Sequence, residues 1–305
     1  MEKLSFKTEF EPAHGEAVRV GENILRVTAP NPGPFTFHGT NAYVVGGKSV
    51  AVIDPGPDDD VQLQALLDAI GGRDVSHILV THTHIDHSPL TRRLAEVTGA
   101  PVLGEGPHRA ARELHIGEIN PLDASGDRDF SPDIQLKHGD LIEGEDWSLE
   151  AVFTPGHAAN HMSFAWTERD ILFSGDHVMA WATSIVAPPD GSMADYMASL
   201  ELLLKRSEHT YLPGHGGQLE HAREFVRALR THRKMREAAI MARLSGGDRT
   251  IRQIVAAIYR DTDPRLHGAA ALSVLAHIED LLTAGRIVAD GPASLDAVYE
   301  PAAAD

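Results

Sequence analysis

No cysteine occurs anywhere in the 305 residues. Disulfides, thiol nucleophiles and Cys-ligated zinc are thereby excluded, and any metal site must use His and carboxylates. No run approaches about 18 apolar residues, so no segment is expected to span a membrane. The segment from Met1 to Phe10 lacks the apolar stretch of a secretory signal, which makes a cytoplasmic protein the expectation. Basic residues are scarce in the larger part of the chain. Residues 1–219 carry 15 Lys/Arg against 32 Asp/Glu, whereas residues 220–305 carry 12 of each. Such an acidic surface repels nucleic acid over most approaches. Histidine is the residue in excess, with 18 copies. The remaining composition, 42% hydrophobic and 23% charged, is that of an ordinary globular chain.

The length suits one large domain and a smaller one. Short β-like runs alternate with turns in the first half. Asn23–Val27, Ala42–Val45 and Val50–Ile53 read as strands, with Gly46-Gly47 as a hairpin signal. A helix is expected over Val61–Ile70, with Leu63, Leu66, Leu67 and Ile70 on one face. His77–Val80 reads as a buried strand, and Ser88-Pro89 as a helix cap followed by proline. Residues 104–133 read as a long irregular insertion, which either covers a site or is a plain surface excursion. A helix is expected over Met193–Lys205, and the chain beyond about Leu219 turns helical. There Thr250 with Gln253 makes a capping box, and Ile287-Val288, a turn at Asp290-Gly291 and Ala297–Tyr299 make a small hairpin. Three helices and a hairpin outline a winged helix.

The strongest chemical signal is His82-Thr-His84-Ile-Asp86-His87. In an extended segment alternate side chains share a face, so His82 and His84 converge. The turn into the next helix swings Asp86 and His87 towards a second position. Four such groups in six residues suit one or two transition-metal ions. His157, Asp176 and His215 each follow an apolar run and sit beside glycine. Singly each is an ordinary turn residue; together they place ligand-type groups at the ends of successive strands. An all-His/Asp set favours Zn²⁺, with Mn²⁺ or Fe²⁺ as alternatives.

These motifs, with Thr154-Pro-Gly-His157, Gly175-Asp176 and Gly214-His215, resemble the metallo-β-lactamase superfamily over about residues 18–225. The resemblance implies an α+β fold, an αββα sandwich with a two-metal site at one edge. It implies that His82, His84 and His157 hold the first metal, that Asp86, His87 and His215 hold the second, and that Asp176 bridges them. Asp54 matches the family's strand-end aspartate beneath the ligands. His232-Arg233 with Arg236-Glu237 and the winged-helix outline resemble the branch that adds a C-terminal winged helix. The expected division is residues 1–225 for the hydrolase domain and 226–305 for the winged helix.

The resemblance implies a dinuclear zinc hydrolase in which a metal-bridged hydroxide attacks a small ester, thioester or lactone. Asp86 is the expected catalytic residue, orienting the nucleophile and passing a proton to the leaving group. The alternative is a single-strand-specific endoribonuclease. Charge disfavours it, because the expected last helix, residues 267–284, has no Lys or Arg and carries Glu279 and Asp280. The expected partner is a small molecule, with no duplex DNA and no membrane. Met179, Trp181 and Tyr196 are candidate pocket walls, with core packing the commoner fate of such residues. His38, His161 and His177 are read as structural.

Overall fold

The computed structural model describes residues 4–303 apart from 117, 119, 121 and 122. The first sheet has seven strands in chain order. They are β1 (Ala17–Gly21), β2 (Ile24–Thr28), β3 (Asn41–Val45), β4 (Ser49–Ile53), β5 (Asp74–Leu79), β6 (Val102–Gly104) and β7 (Ile134–Gln135). Neighbours are antiparallel from β1 to β4 and parallel from β4 to β7. Helices α1 (Asp60–Ile70) and α2 (Thr91–Thr98) form the crossovers. The second sheet contains β8 (Leu141–Glu143), β9 (Ser148–Phe153), β10 (Met162–Trp166), β11 (Ile171–Gly175) and β12 (Thr210–Pro213). Helix α3 (Met193–Leu203) links β11 to its parallel neighbour β12.

Side-chain alternation along the strands builds the layers. On β4, Val50 and Val52 join a core with Leu66 and Ile70 of α1. Ala51 and Ile53 point the other way and pack with Leu149, Phe164 and Phe173 of the second sheet. The outer face of that sheet packs Val152 and Leu172 on Tyr196 and Leu200 of α3. Each fully buried Leu, Ile or Phe contributes about 1.5–3 kcal/mol. The result is the expected αββα sandwich.

Helix α4 (Ala222–Ser245) begins in the sandwich, with Val226 and Leu229 against α3, and ends in a separate core around Ile240 and Leu244. That second core is completed by α5 (Ile251–Ile258), α6 (His267–Thr283) and the hairpin of β13 (Ile287–Ala289) and β14 (Tyr299–Pro301). The Thr250/Gln253 capping box is formed at the start of α5. No helix among the described residues is long and apolar enough to cross a membrane.

Two local expectations are corrected. Ser88 does not cap α2, which starts at Thr91; its hydroxyl instead donates to Asp127 Oδ2 at 2.6 Å. That bond ties the 104–133 insertion to the histidine loop. The hairpin is also wider than a two-residue turn at Asp290-Gly291. Asp290 Oδ1 accepts the Val298 N–H, and the Tyr299 hydroxyl both donates to Ser294 O and accepts its N–H. These bonds hold a long loop and delay the second strand to Tyr299.

His277 is 2% exposed on α6, and neither ring nitrogen has a partner among the described residues. Burial first, then Arg233 and Arg236, push its pKa down to about 3. The unfolded chain takes up this proton near the ordinary value of 6.5, so stability is lost as pH falls from there towards the folded value. Replacing the imidazole by a hydrocarbon removes that linkage. Urea unfolding at pH 7 and pH 5 should therefore show His277→Leu losing about 2 kcal/mol less than the wild type on acidification. Equal losses would show that His277 is protonated in the fold.

Candidate metal centre

The seven ligand-type residues meet at one rim, beyond the C-terminal ends of β5, β9, β11 and β12. After β5 the chain reverses, with the His87 and Ser88 N–H groups both donating to His84 O. This turn separates two groups of side chains. His82 Nε2 lies 2.9 Å from His84 Nδ1, which lies 3.0 Å from His157 Nε2. On the other side, Asp86 Oδ2 lies 3.3 Å from both His87 Nε2 and His215 Nε2. Asp176 stands between them. Its Oδ2 is 3.2 Å from His215 Nε2 and 3.7 Å from His157 Nε2, and its Oδ1 is 3.6 Å from His87 Nε2.

The outward ring nitrogens fix which lone pairs face inward. Asp54 Oδ1 accepts the Thr81 N–H at 2.7 Å, and its Oδ2 accepts the Thr81 hydroxyl at 2.7 Å. With its proton committed there, Thr81 Oγ1 accepts from His82 Nδ1 at 3.0 Å, leaving His82 Nε2 as a lone pair. His157 Nδ1 donates to Ile185 O at 2.7 Å, and His215 Nδ1 donates to Gly39 O at 3.1 Å. His87 Nδ1 donates to Asp54 Oδ2 at 2.9 Å. Asp54 itself has φ of 48°, a left-handed conformation that Asp tolerates better than most residues.

The packing around the centre is close. A Cβ at Gly214 would sit 2.4 Å from Asp176 Oδ1 and 2.7 Å from His87 Cε1, so only glycine fits there. His161 lies beneath. Its Nε2 accepts the Asp176 N–H at 3.1 Å, and its Nδ1 donates to Thr154 Oγ1 at 2.9 Å.

Charge divides the two groups. Burial first, then the neighbouring imidazoles, hold His82 well below its ordinary pKa and push His84 down to about 3. Both shifts favour the neutral, ligating form. Burial opposes charge at His215 too, but Asp176 and Asp86 overcome it and raise its pKa to about 10. His87 is likewise raised by Asp86, Asp176 and Asp54 against its burial. The carboxyls of Asp86 and Asp176 resist burial and stay well below the usual range, held by His87 and His215.

The cluster fits divalent cations on its own geometry. Three sets of three donor atoms, each set within 4.8 Å, are formed by His82/His84/His157, His82/His87/Asp176 and Asp86/His87/His215. Buried His87 Nε2 and Asp176 Oδ1 have no hydrogen-bond partner among the described residues, which calls for a ligand between them.

A cavity of about 330 Å³ opens over the cluster. Its walls include Phe35, Ile85, Met179 and Ile185, with Ser125 from the insertion and Ala269 and Leu272 from α6. Of the expected walls, Met179 is present and Trp181 lines an adjoining cavity. Tyr196 is not a wall. It is fully buried, because that face of α3 packs on the sheet, and its hydroxyl donates to His177 O at 3.0 Å. Thr40, whose hydroxyl donates to Asp86 Oδ2 at 3.0 Å, has no signal in the sequence near the motif. Thr81, inside it, does.

Comparison with known proteins places this geometry. Residues 35–215 match the family described as "Metallo-beta-lactamase superfamily". The chain belongs to that superfamily. Residues 250–293 match the "Beta-lactamase associated winged helix domain" that accompanies it. Among superfamily relatives, a lactamase-like protein of Aspergillus niger is 30% identical, covering 80% of this chain and 70% of its own. An atrochrysone carboxyl ACP thioesterase of Cryptosporiopsis is 28% identical, covering 82% of this chain and 76% of its own. A beta-lactamase domain protein from Burkholderia ambifaria has the same fold, with a TM-score of 0.79 at 21% identity over 96% of this chain and 95% of its own.

Proposed function

We propose that this chain is a metal-dependent hydrolase of a small thioester, with esters and lactones as related substrates. The observation that carries this reading is the cavity. A space of about 330 Å³ with apolar walls of Phe35, Ile85, Met179, Ile185 and Leu272 stands directly over the His/Asp cluster. It suits an acyl group delivered to the cluster. The thioesterase name of the Cryptosporiopsis relative favours a thioester among the carbonyl substrates.

In this proposal His82, His84 and His157 would hold one ion and Asp86, His87 and His215 a second, with Asp176 standing between the two sets. Zinc is the first candidate, because imidazoles with carboxylates and no thiolate suit it, and a bound cation would take the place of the protons that Asp86 and Asp176 favour on His87 and His215. A pair of divalent ions there supplies a nucleophile at neutral pH and polarises the scissile carbonyl. Asp86 Oδ2 accepts the Thr40 hydroxyl, which fixes its carboxylate plane at the cavity edge. The other Asp86 oxygen then orients the attacking water and carries its proton to the leaving sulfur or oxygen. The apolar walls exclude bulk water and position the acyl chain.

Single-stranded RNA is disfavoured, because no Lys or Arg lines this cavity. Duplex DNA is disfavoured because the Ala269/Leu272 face of α6 is turned into the cavity. The test is a hydrolysis panel on purified, metal-analysed protein, covering thioesters, esters, lactones, a β-lactam, a phosphodiester and single-stranded RNA. We expect close to two transition-metal ions per chain, fastest turnover on a thioester, and loss of activity on chelation. Full activity without metal, or turnover confined to RNA, would sink the proposal.

A further inference from the structure

A second cavity, of about 460 Å³, adjoins the first and shares Phe35, Met179, Ile185 and Ala269 with it. It lies in the seam between the sandwich and the C-terminal helices. Its charged lining consists of Arg233 and Arg236 of α4, with His232 beside them and no Asp or Glu. In a chain of net charge −17 that composition is unexpected. Three residues apart, the two arginines share one helix face.

Their charges are left uncompensated. Elsewhere on α4, Arg230 pairs with Glu201, Glu237 with Arg286 and Arg243 with Asp248. Arg233 and Arg236 form no ion pair among the described residues. Arg233 is only 3% exposed; it donates to Ser184 O and, at 3.4 Å, to Ser273 Oγ, its guanidinium carbon lies 5.0 Å from the Tyr196 ring centre, and its Nε has no partner. Arg236 rests over the Tyr259 ring at 4.3 Å. Trp181 Nε1 and His232 Nδ1, from two other residues of this lining, are also buried without partners. A buried guanidinium with no counter-charge, beside the spare Trp181 N–H, is costly unless an anion meets it. The field of these arginines is also visible at His232, whose pKa is pushed down to about 4 by burial and then by Arg233 and Arg236.

We infer that this cavity is an anion subsite, in which Arg233 and Arg236 bind a carboxylate or phosphate carried at the far end of the substrate whose acyl carbon sits at the cluster. The inference rests on the thioester reading for the near end of that substrate. The anion rides either on the acyl half, as a terminal carboxylate, or on the thiol half, as a phosphate.

Three matched thioesters separate these cases: an octanoyl thioester of a neutral thiol, its analogue with a terminal carboxylate, and the octanoyl thioester of a thiol bearing a phosphate. We expect at least one charged member to exceed the neutral one by about tenfold or more in kcat/KM, mainly through KM, as fits a charge-assisted bond. Arg236→Met, and separately Arg233→Met, should erase most of that preference. Metal content and thermal midpoint, measured on each variant, identify any that fail to fold; Arg236, outside the core, is the safer of the two. Equal handling of charged and neutral members, or a preference surviving in folded Arg236→Met, would overturn the subsite. If no thioester is hydrolysed, the function reading fails, and the subsite is decided separately. Calorimetry with the uncleavable thioether analogues should show the same charged-over-neutral preference and the same loss in Arg236→Met, and its absence would overturn the subsite.

Discussion

Asp176→Ala is expected to empty the metal centre, whereas Asp86→Asn keeps most of its metal and still loses about 100-fold or more in turnover. The two carboxylates differ in what they touch. Asp176 is the group within reach of His157 on one side and of His87 and His215 on the other. Two cations held side by side need an anion between them, and its removal leaves their repulsion less compensated. Asp86 faces only the His87/His215 half and borders the cavity. Asparagine keeps its shape and one oxygen donor but takes up no proton at neutral pH. Elemental analysis and rates on both variants, with the best substrate of the panel, separate binding from proton handling. Near-normal turnover in Asp86→Asn would leave Asp86 as a ligand and nothing more.

Asp54→Ala should be the most destabilising change near the centre that removes no proposed ligand, by about 3–5 kcal/mol in the metal-free protein. Asp54 is 2% exposed and holds three partners at once: the Thr81 N–H, the Thr81 hydroxyl and His87 Nδ1. Truncation leaves buried His87 with less counter-charge and frees Thr81 Oγ1, which fixes the His82 tautomer. Both halves of the centre are therefore disturbed through one side chain. Metal affinity should fall by about 10–100-fold, as for other groups that orient ligating imidazoles. Asp54→Asn, which preserves an acceptor for the Thr81 N–H, should lie between. Denaturant unfolding without metal and a chelator competition with it give the two numbers. A variant with unchanged midpoint and unchanged affinity would mean that the histidine loop is held by its turn alone.

That these seven side chains gather at one rim was legible because each is announced locally. Four share one six-residue run, and the other three follow strands and stand beside glycine. The layers were legible for a similar reason, since the apolar run Val50–Ile53 and the one-sided Leu63, Leu66, Leu67 and Ile70 pattern after it are local signals. What the chain order conceals is contact between distant segments. Thr40 reaches Asp86 across 46 positions, and no spacing rule connects them. Tyr196 carries the right chemistry for a pocket wall, but the face of α3 that meets the sheet is decided by packing. Ser88 has the residue type of a cap, yet an aspartate 39 positions away takes its hydroxyl. The α6 contribution to the cavity depends on how the C-terminal unit seats on the sandwich, which no motif encodes.

That seating separates two kinds of inheritance. The groups clustered for chemistry lie between residues 82 and 215, while Ala269 and Leu272, which shape the space above them, belong to a helix with no such group. Substitutions along that helix would re-size the chamber without touching the His/Asp cluster. Substrate preference is thus expected to shift through a segment that contributes none of the clustered His and Asp side chains.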